Sequence, residues 1–155
     1  MNYEILSNRL KKRKKHLSKW ARRNGVTAYR VYNKDLTEYP CIVDIIDDCV
    51  VVWIYKAEQE KDIVDAIKLA FEINEYSIFV KFRGKQKGLQ TQYEKEKYSK
   101  LKEPSTIKTI EENSLKFELN LSDYVDTGLF LDHRNARLLI ESLSENQNVL
   151  NLFAY

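Results

Sequence analysis

No run of apolar residues in this chain approaches the length of a membrane span, so nothing in it reads as a transmembrane helix. The basic N-terminus has no apolar core behind its charges and does not read as a secretory signal. Cysteine is scarce. Cys41 and Cys49 are the only two, both in strand-like runs, and neither secretion nor a small disulfide scaffold is indicated. Reduced, buried thiols in a cytoplasmic protein are the expectation. His133 has no His, Cys or carboxylate partner at metal-ligand spacing, so no metal site is expected. No internal repeat is visible, which argues against a solenoid or array. The most informative absence is of acid: residues 5–34 contain no Asp or Glu.

That same block holds 11 Lys or Arg, so the formal net charge of +3 hides a divided chain. The remainder carries 15 basic residues against 23 acidic ones. Charge confined to one end is a partner signal rather than a fold signal. A length of 155 residues allows one domain, or a small domain with a piece of another. A hydrophobic share of 43%, with two Trp, ten Tyr and six Phe, is enough for a buried core.

The chain punctuates itself. Glu4 to Arg23 has the spacing of an amphipathic helix, with Leu6, Leu10, Leu17, Trp20 and Ala21 close to one face. Asn24-Gly25 is its stop. Val26 to Asn33 is strand-like, and Pro40 marks an edge or loop. Cys41 to Ile46 and Cys49 to Tyr55 form an expected antiparallel hairpin around Asp47-Asp48. The spacing of Ile63, Ile67, Ala70 and Phe71 predicts a helix over residues 61–74. Ser77 to Arg83 alternates as a strand, and residues 84–102 read as a polar loop. Thr106 to Glu111 and Leu115 to Asn120 are expected to pair through Glu112-Asn113-Ser114. A helix is expected over residues 131–143, with Leu131, Leu138, Leu139 and Leu143 as core positions. Val149 to Tyr155 reads as a central parallel strand with nothing after it. The fold class is therefore α+β: a basic helix and a mostly antiparallel sheet with a covering helix, a hairpin, then one helix and one strand of a larger α/β domain.

Phosphate binding needs cations presented together, and the first helix offers Arg9, Lys11, Lys12, Arg13, Lys15, Lys19, Arg22 and Arg23. A solvated helix face ordinarily mixes signs, and this one does not. Nucleic acid is the favoured partner over an acidic protein or a membrane surface. Trp20 is read first as a core residue and second, with Tyr29, as a platform for unpaired bases. In the polar loop, glycines free the backbone. Lys81, Arg83, Lys85 and Lys87 can grip phosphate there, while Gln86, Gln90 and Gln92 can meet base edges.

Four ordered segments carry a family likeness. They are Ser7 to Gly25, Tyr29-Arg-Val-Tyr32 with Asp35-Leu-Thr-Glu-Tyr39, Lys81 to Tyr93, and Asp126-Thr-Gly-Leu-Phe-Leu-Asp-His-Arg134 with Val149-Leu-Asn-Leu-Phe-Ala-Tyr155. Together they resemble the guanine-N7 half of bifunctional bacterial rRNA methyltransferases, class I enzymes that use S-adenosylmethionine. The resemblance implies an RNA-binding α+β domain over residues 1–120 and the start of a Rossmann-like cofactor domain over 121–155. It implies methyl transfer from S-adenosylmethionine to a base of large-subunit rRNA, most simply guanine N7, in the cytoplasm. It also implies that Phe130, Asp132, His133, Arg134, Asn151, Phe153 and Tyr155 edge the cofactor pocket. The Gly-bearing loop after the first strand is not in the chain. We therefore expect a truncated fragment that is inactive alone, binds little cofactor, has no catalytic residue of its own and can self-associate through its last strand. The reading from another class is a non-catalytic RNA-binding module or ribosome-assembly factor.

Overall fold

In a computed structural model of the chain, residues 3–83 and 105–150 are described. The elements are α1 (Glu4–Arg23), β1 (Ala28–Asn33), β2 (Cys41–Ile46), β3 (Cys49–Ile54), α2 (Glu60–Phe71), β4 (Ile78–Phe82), β5 (Ile107–Glu112), β6 (Leu115–Asn120) and α3 (Arg134–Ser144). Short 3-10 turns precede α2, β4 and α3. The α+β class holds. The expected loop over residues 84–102 and the last strand fall largely or wholly outside the described residues.

The four-stranded sheet runs β1-β2-β3-β4. β1 and β2 pair antiparallel, as do β2 and β3, whereas β4 joins β3 in parallel after the crossover through α2. β5 and β6 form a separate two-stranded hairpin. Every residue of β2 and β3 is buried, which is why both read as apolar runs, interrupted by Asp44 in β2, whose carboxylate is held by Arg30. Pleat alternation divides them between two cores. Val43, Ile45, Val50, Val52 and Ile54 meet Leu6, Leu10 and Ala21 of α1 and Ile63, Ile67 and Phe71 of α2. Ile42, Ile46, Val51 and Trp53 meet Ile110, Leu119, Leu121, Val125 and Leu131. The molecule is thus three layers: helices, sheet, and a hairpin with the segment that follows it.

Local chemistry sets the boundaries. α1 closes in a Schellman-type turn: Val26 N donates to Ala21 O at 2.8 Å and Gly25 takes φ 61°. Asn24 Nδ2 also donates to Trp20 O at 2.8 Å. Val26 and Thr27 therefore belong to the turn, and the strand starts two residues later than its composition suggests. α2 stops at Phe71 rather than Asn74 because Glu72 turns left-handed at φ 58°. The β5–β6 connection has two residues, Asn113 and Ser114, both at positive φ as a twist-compatible hairpin requires. The early turns of α1 are tied to the β1–β2 loop, where Asp35 accepts from Arg9 at 3.0 Å with Arg13 at 3.8 Å. Cys41 and Cys49 are buried free thiols.

α3 departs from its expected packing. Leu131 is buried in the second core, but Leu138, Leu139 and Leu143 are exposed, Leu143 by 67%. The period is helical, yet among the described residues nothing covers that face. Trp20, read as core, is 41% exposed.

The third layer is locked by one carboxylate. Glu112, buried at the end of β5, accepts from Arg134 Nε at 2.8 Å, from Arg137 Nε at 2.8 Å and from Arg137 Nη2 at 2.9 Å. Burial alone would raise its pKa, but the two guanidiniums more than offset this and hold it below the ordinary glutamate value of 4.5. A depressed folded pKa gives stability that is complete above 4.5 and lost as pH falls through the lower folded value. Glu112→Ala is expected to cost about 2–3 kcal/mol at neutral pH, because it strands two partly buried arginines. Urea midpoints across pH will check this: the gap between variant and wild type should be constant near neutrality and narrow in acid.

Candidate functional site

Two surfaces carry the residues singled out in the sequence. The first is the outer face of α1. Its inner face is fixed by Leu6, Leu10 and Ala21, so helical geometry turns Lys12, Lys15, Lys19, Arg22 and Arg23 outward at three- and four-residue steps. These five and Lys11 are exposed. Arg9 and Arg13 differ. Each is partly buried against Asp35, and Arg13 Nε also donates to Val31 O at 3.3 Å. They hold the helix to the sheet. Lys14 turns the same way, with its ammonium 4.8 Å from the Phe71 ring centroid.

The second surface is the segment from Leu121 to Arg137, laid across the sheet face that the helices leave free. A knot of short polar contacts starts it. Asn120 Oδ1 accepts from Asp123 N at 2.9 Å, and Ser122 Oγ donates to Asp123 Oδ1 at 2.7 Å. Ser122 Oγ also accepts from Thr106 N at 2.7 Å. Beyond it the chain is gripped through its backbone. Trp53 Nε1 donates to Val125 O at 2.8 Å, and the Lys81 ammonium donates to Tyr124 O. Arg83 pairs with Asp126. Gly128 sits at φ 94°, a conformation that side chains resist, and lets the chain turn towards Phe130. Arg134 then donates to Ala28 O at 2.7 Å, and Arg137 Nη1 to Phe130 O at 2.7 Å.

Pinned in this way by buried Leu131 and its neighbours, the turn presents the side chains of Phe130, Asp132 and His133. The Phe130 ring is 59% exposed and lies tilted against His133, centroids 5.5 Å apart. Asp132 and His133 are exposed. Arg134 faces inward to Glu112 and to the Trp20 ring, 5.6 Å from its centroid. Asn151, Phe153 and Tyr155 lie outside the described residues, as do Lys85 and Lys87.

Lys81 and Arg83 depart from the expectation that they offer charge to phosphate. Lys81 is 2% exposed, and burial lowers its pKa to about 8 against the opposing pull of Asp126 and Asp123. Its ammonium serves the fold by holding the Tyr124 carbonyl. The Arg83 guanidinium is engaged by Asp126 beside the Trp53 ring.

Trp53, Glu112 and Arg137, which fix this segment, carry no site expectation from the sequence, and neither does the pair of Arg30 with buried Asp44, which joins β1 to β2 at 2.8 and 3.1 Å. A signal existed for Glu112. It shares the inward face of β5 with Ile110, and an acid at an apolar-face position implies a buried cationic partner. Among the described residues, no three His, Cys, Asp or Glu side chains converge as metal ligands would. None of the described helices is long and apolar enough to cross a membrane.

The chain is similar to known proteins. The chain is 42% identical over 168 residues to the ribosomal RNA large subunit methyltransferase K/L of Pseudoalteromonas translucida, an alignment covering 100% of this chain and 23% of that protein. It spans less than a quarter of the length of the curated relatives it matches. A putative S-adenosylmethionine-dependent methyltransferase from Streptococcus mutans superposes with a TM-score of 0.67 at 20% identity, over 93% of this chain and 37% of that one. A putative methyltransferase complexed with SAH superposes at 0.63 and 21%, over 88% and 34%. At those identities the superpositions show the fold. The model of the S-adenosylmethionine-dependent methyltransferase family matches residues 30–155, most of the chain. On that match, this chain belongs to the S-adenosylmethionine-dependent methyltransferases.

Proposed function

We propose that this chain is the RNA-gripping portion, with the first edge of the cofactor domain, of an enzyme that methylates a base of large-subunit rRNA, guanine N7 in the finest reading. The observation that carries this is a juxtaposition. The unopposed cationic face of α1 and the exposed Phe130–His133 turn are fastened to one sheet, on its two sides, and meet where Arg134 reaches Trp20. RNA held on the helix is thereby held at a fixed offset from the cofactor edge. Such positioning is most of what methyl transfer to an already nucleophilic ring nitrogen asks of a protein.

On this reading residues 1–120 bind RNA and residues 121–155 begin the cofactor domain. Lys11, Lys12, Lys15, Lys19, Arg22 and Arg23 neutralise phosphates. Arg9, Arg13, Lys81 and Arg83 act one step back, by fixing the elements that present the others. The side chains at the cofactor edge suit a nucleoside. Phe130 offers an exposed ring for stacking, and Asp132 offers a carboxylate acceptor. S-adenosylmethionine, when bound, supplies an electrophilic methyl group. Phe130, Asp132 and His133 would hold one side of it, with Asn151, Phe153 and Tyr155 beside them. We assign no catalytic residue in this chain.

RNA binding measured over a range of salt tests the helix. The wild-type chain should bind with log K falling linearly against log salt, and the Lys12→Glu, Lys15→Glu, Lys19→Glu triple variant should lose on the order of a hundredfold at moderate salt. Unchanged binding in a triple variant with wild-type circular dichroism sinks the assignment. Calorimetry tests the other half. The chain alone presents one side of a pocket and should give no resolvable heat with S-adenosylmethionine; micromolar binding would show that the pocket is already complete.

A further inference from the structure

A concavity of about 400 Å³ opens beside α1, lined by His16, Leu17 and Trp20 of the helix, Tyr29 and Arg30 of β1, and Arg134 at the start of α3. We propose that it receives one unpaired RNA base, stacked on Trp20, with the attached phosphate on its cationic rim. The proposal rests on the RNA reading above and goes beyond it, by naming the form of RNA and the residue that reads it.

Composition argues first. The lining combines a half-exposed indole, an aliphatic side chain and two guanidiniums, and no carboxylate lines it. A second concavity, of about 430 Å³, lies between α1 and the β2–β3 turn. It has a similar size, but its lining includes Asp47 and Asp48 beside Lys14 and Arg22, and those carboxylates offset the cations. Size is consistent as well: the volume lies in the range of small-ligand sites, about 300–1,000 Å³, and exceeds that of a nucleobase.

Geometry argues second. Trp20 is 41% exposed although it stands on the helix flank nearest the sheet. Its orientation is fixed from two directions. Tyr29 meets it edge-on at 6.5 Å with an interplanar angle of 83°, and the Arg134 guanidinium lies over the ring at 5.6 Å. An exposed aromatic braced in this way loses little conformational freedom when a base stacks on it, which is the economy of a stacking platform. The guanidiniums are held too. Arg30 gives Nε and Nη2 to Asp44, and its Nη1 takes no part in that fork. Arg134 gives Nε to Glu112 and Nη2 to Ala28 O. Arg134 shares Glu112 with Arg137, and Arg30 is faced by Asp132 as well as Asp44, so the charge offered to a phosphate at this rim is chiefly that of the adjoining outer face of α1.

Location argues third. Arg134 directly follows Phe130–His133, so a base in this pocket lies beside the cofactor edge and also touches α1. We assign it to a nucleotide flanking the one that is modified. The site would then favour single-stranded or flipped-out RNA over a continuous duplex, since a paired base has no free face to stack.

The test uses the 155-residue chain, oligoadenylate and a blunt adenine–uracil duplex of equal length. Trp53 is buried, so emission changes report on Trp20. The single strand should quench that emission and the duplex should not. Trp20→Ala should weaken single-strand binding about tenfold, the size expected for one stacked base, while duplex binding and the salt slope stay unchanged. Trp20→Phe, which keeps a ring, should recover most of the loss. Full single-strand affinity in Trp20→Ala, with salt-sensitive binding intact, overturns the pocket and leaves the RNA reading standing. Absence of salt-sensitive binding to either RNA overturns both. Equal quenching by polyglutamate overturns the base pocket in favour of an acidic protein partner. Should Trp20→Ala fail to fold, the wild-type contrast between single strand and duplex decides alone.

Discussion

A sheet with two apolar faces cannot stand in water uncovered, and that constraint shapes the rest of this molecule. β2 and β3 have no polar face to turn outward. α1 and α2 cover one side with a largely apolar seam. The other side is covered by a two-stranded hairpin and an irregular segment, which carry too few apolar residues to do it by burial alone. The deficit is met by polar groups rising from the sheet or facing it: Trp53 Nε1, the Lys81 ammonium, and the fork between Glu112 and its two arginines. Each of these costs desolvation and repays it only when its partner is in place. The second cover therefore has one well-defined position, whereas a greasy contact would leave it free to slide.

The charge pattern follows from the same layering. Acidic and basic side chains that serve the fold are consumed in pairs: Arg9 and Arg13 with Asp35, Arg30 with Asp44, Arg134 and Arg137 with Glu112. Lys11, Lys12, Lys15, Lys19, Arg22 and Arg23 on the outer α1 face stand outside those pairs. Their excess is local, so the modest net charge of the chain gives little idea of the field near that helix.

Much of this was legible in the sequence. The α1 period and its Asn24-Gly25 stop, the two apolar strands around Asp47-Asp48, and a hairpin turn within Glu112-Asn113-Ser114 are local signals, and local physics decides them, although the structure gives Glu112 to β5. What was missed is which way particular side chains face once layers assemble. Lys81 is expected among the phosphate-gripping cations, whereas strict alternation in β4 places it with Phe79 on an inward face. The reverse error occurred in α3. Its leucine spacing predicts core positions, but periodicity shows that a helix has an apolar side and not what lies against it. Trp20 falls between these cases, since its helical position is seam-like while β1 and Arg134 brace the ring without covering it. The Phe130–Arg134 turn could be recognised only by likeness, because the contacts that hold it come from β1, β3, β4 and β5, all far away along the chain.

Those contacts have a feature with a longer reach. Trp53, Lys81, Arg134 and Arg137 all grasp main-chain carbonyls, those of Val125, Tyr124, Ala28 and Phe130. A carbonyl is present whatever side chain its residue bears. The grip therefore depends on the side chain of the grasping residue and on the backbone path of the grasped one. Trp53 and Lys81, which stand in the sheet and face no proposed ligand, thereby set where the backbone leading to the Phe130–Arg134 turn must run.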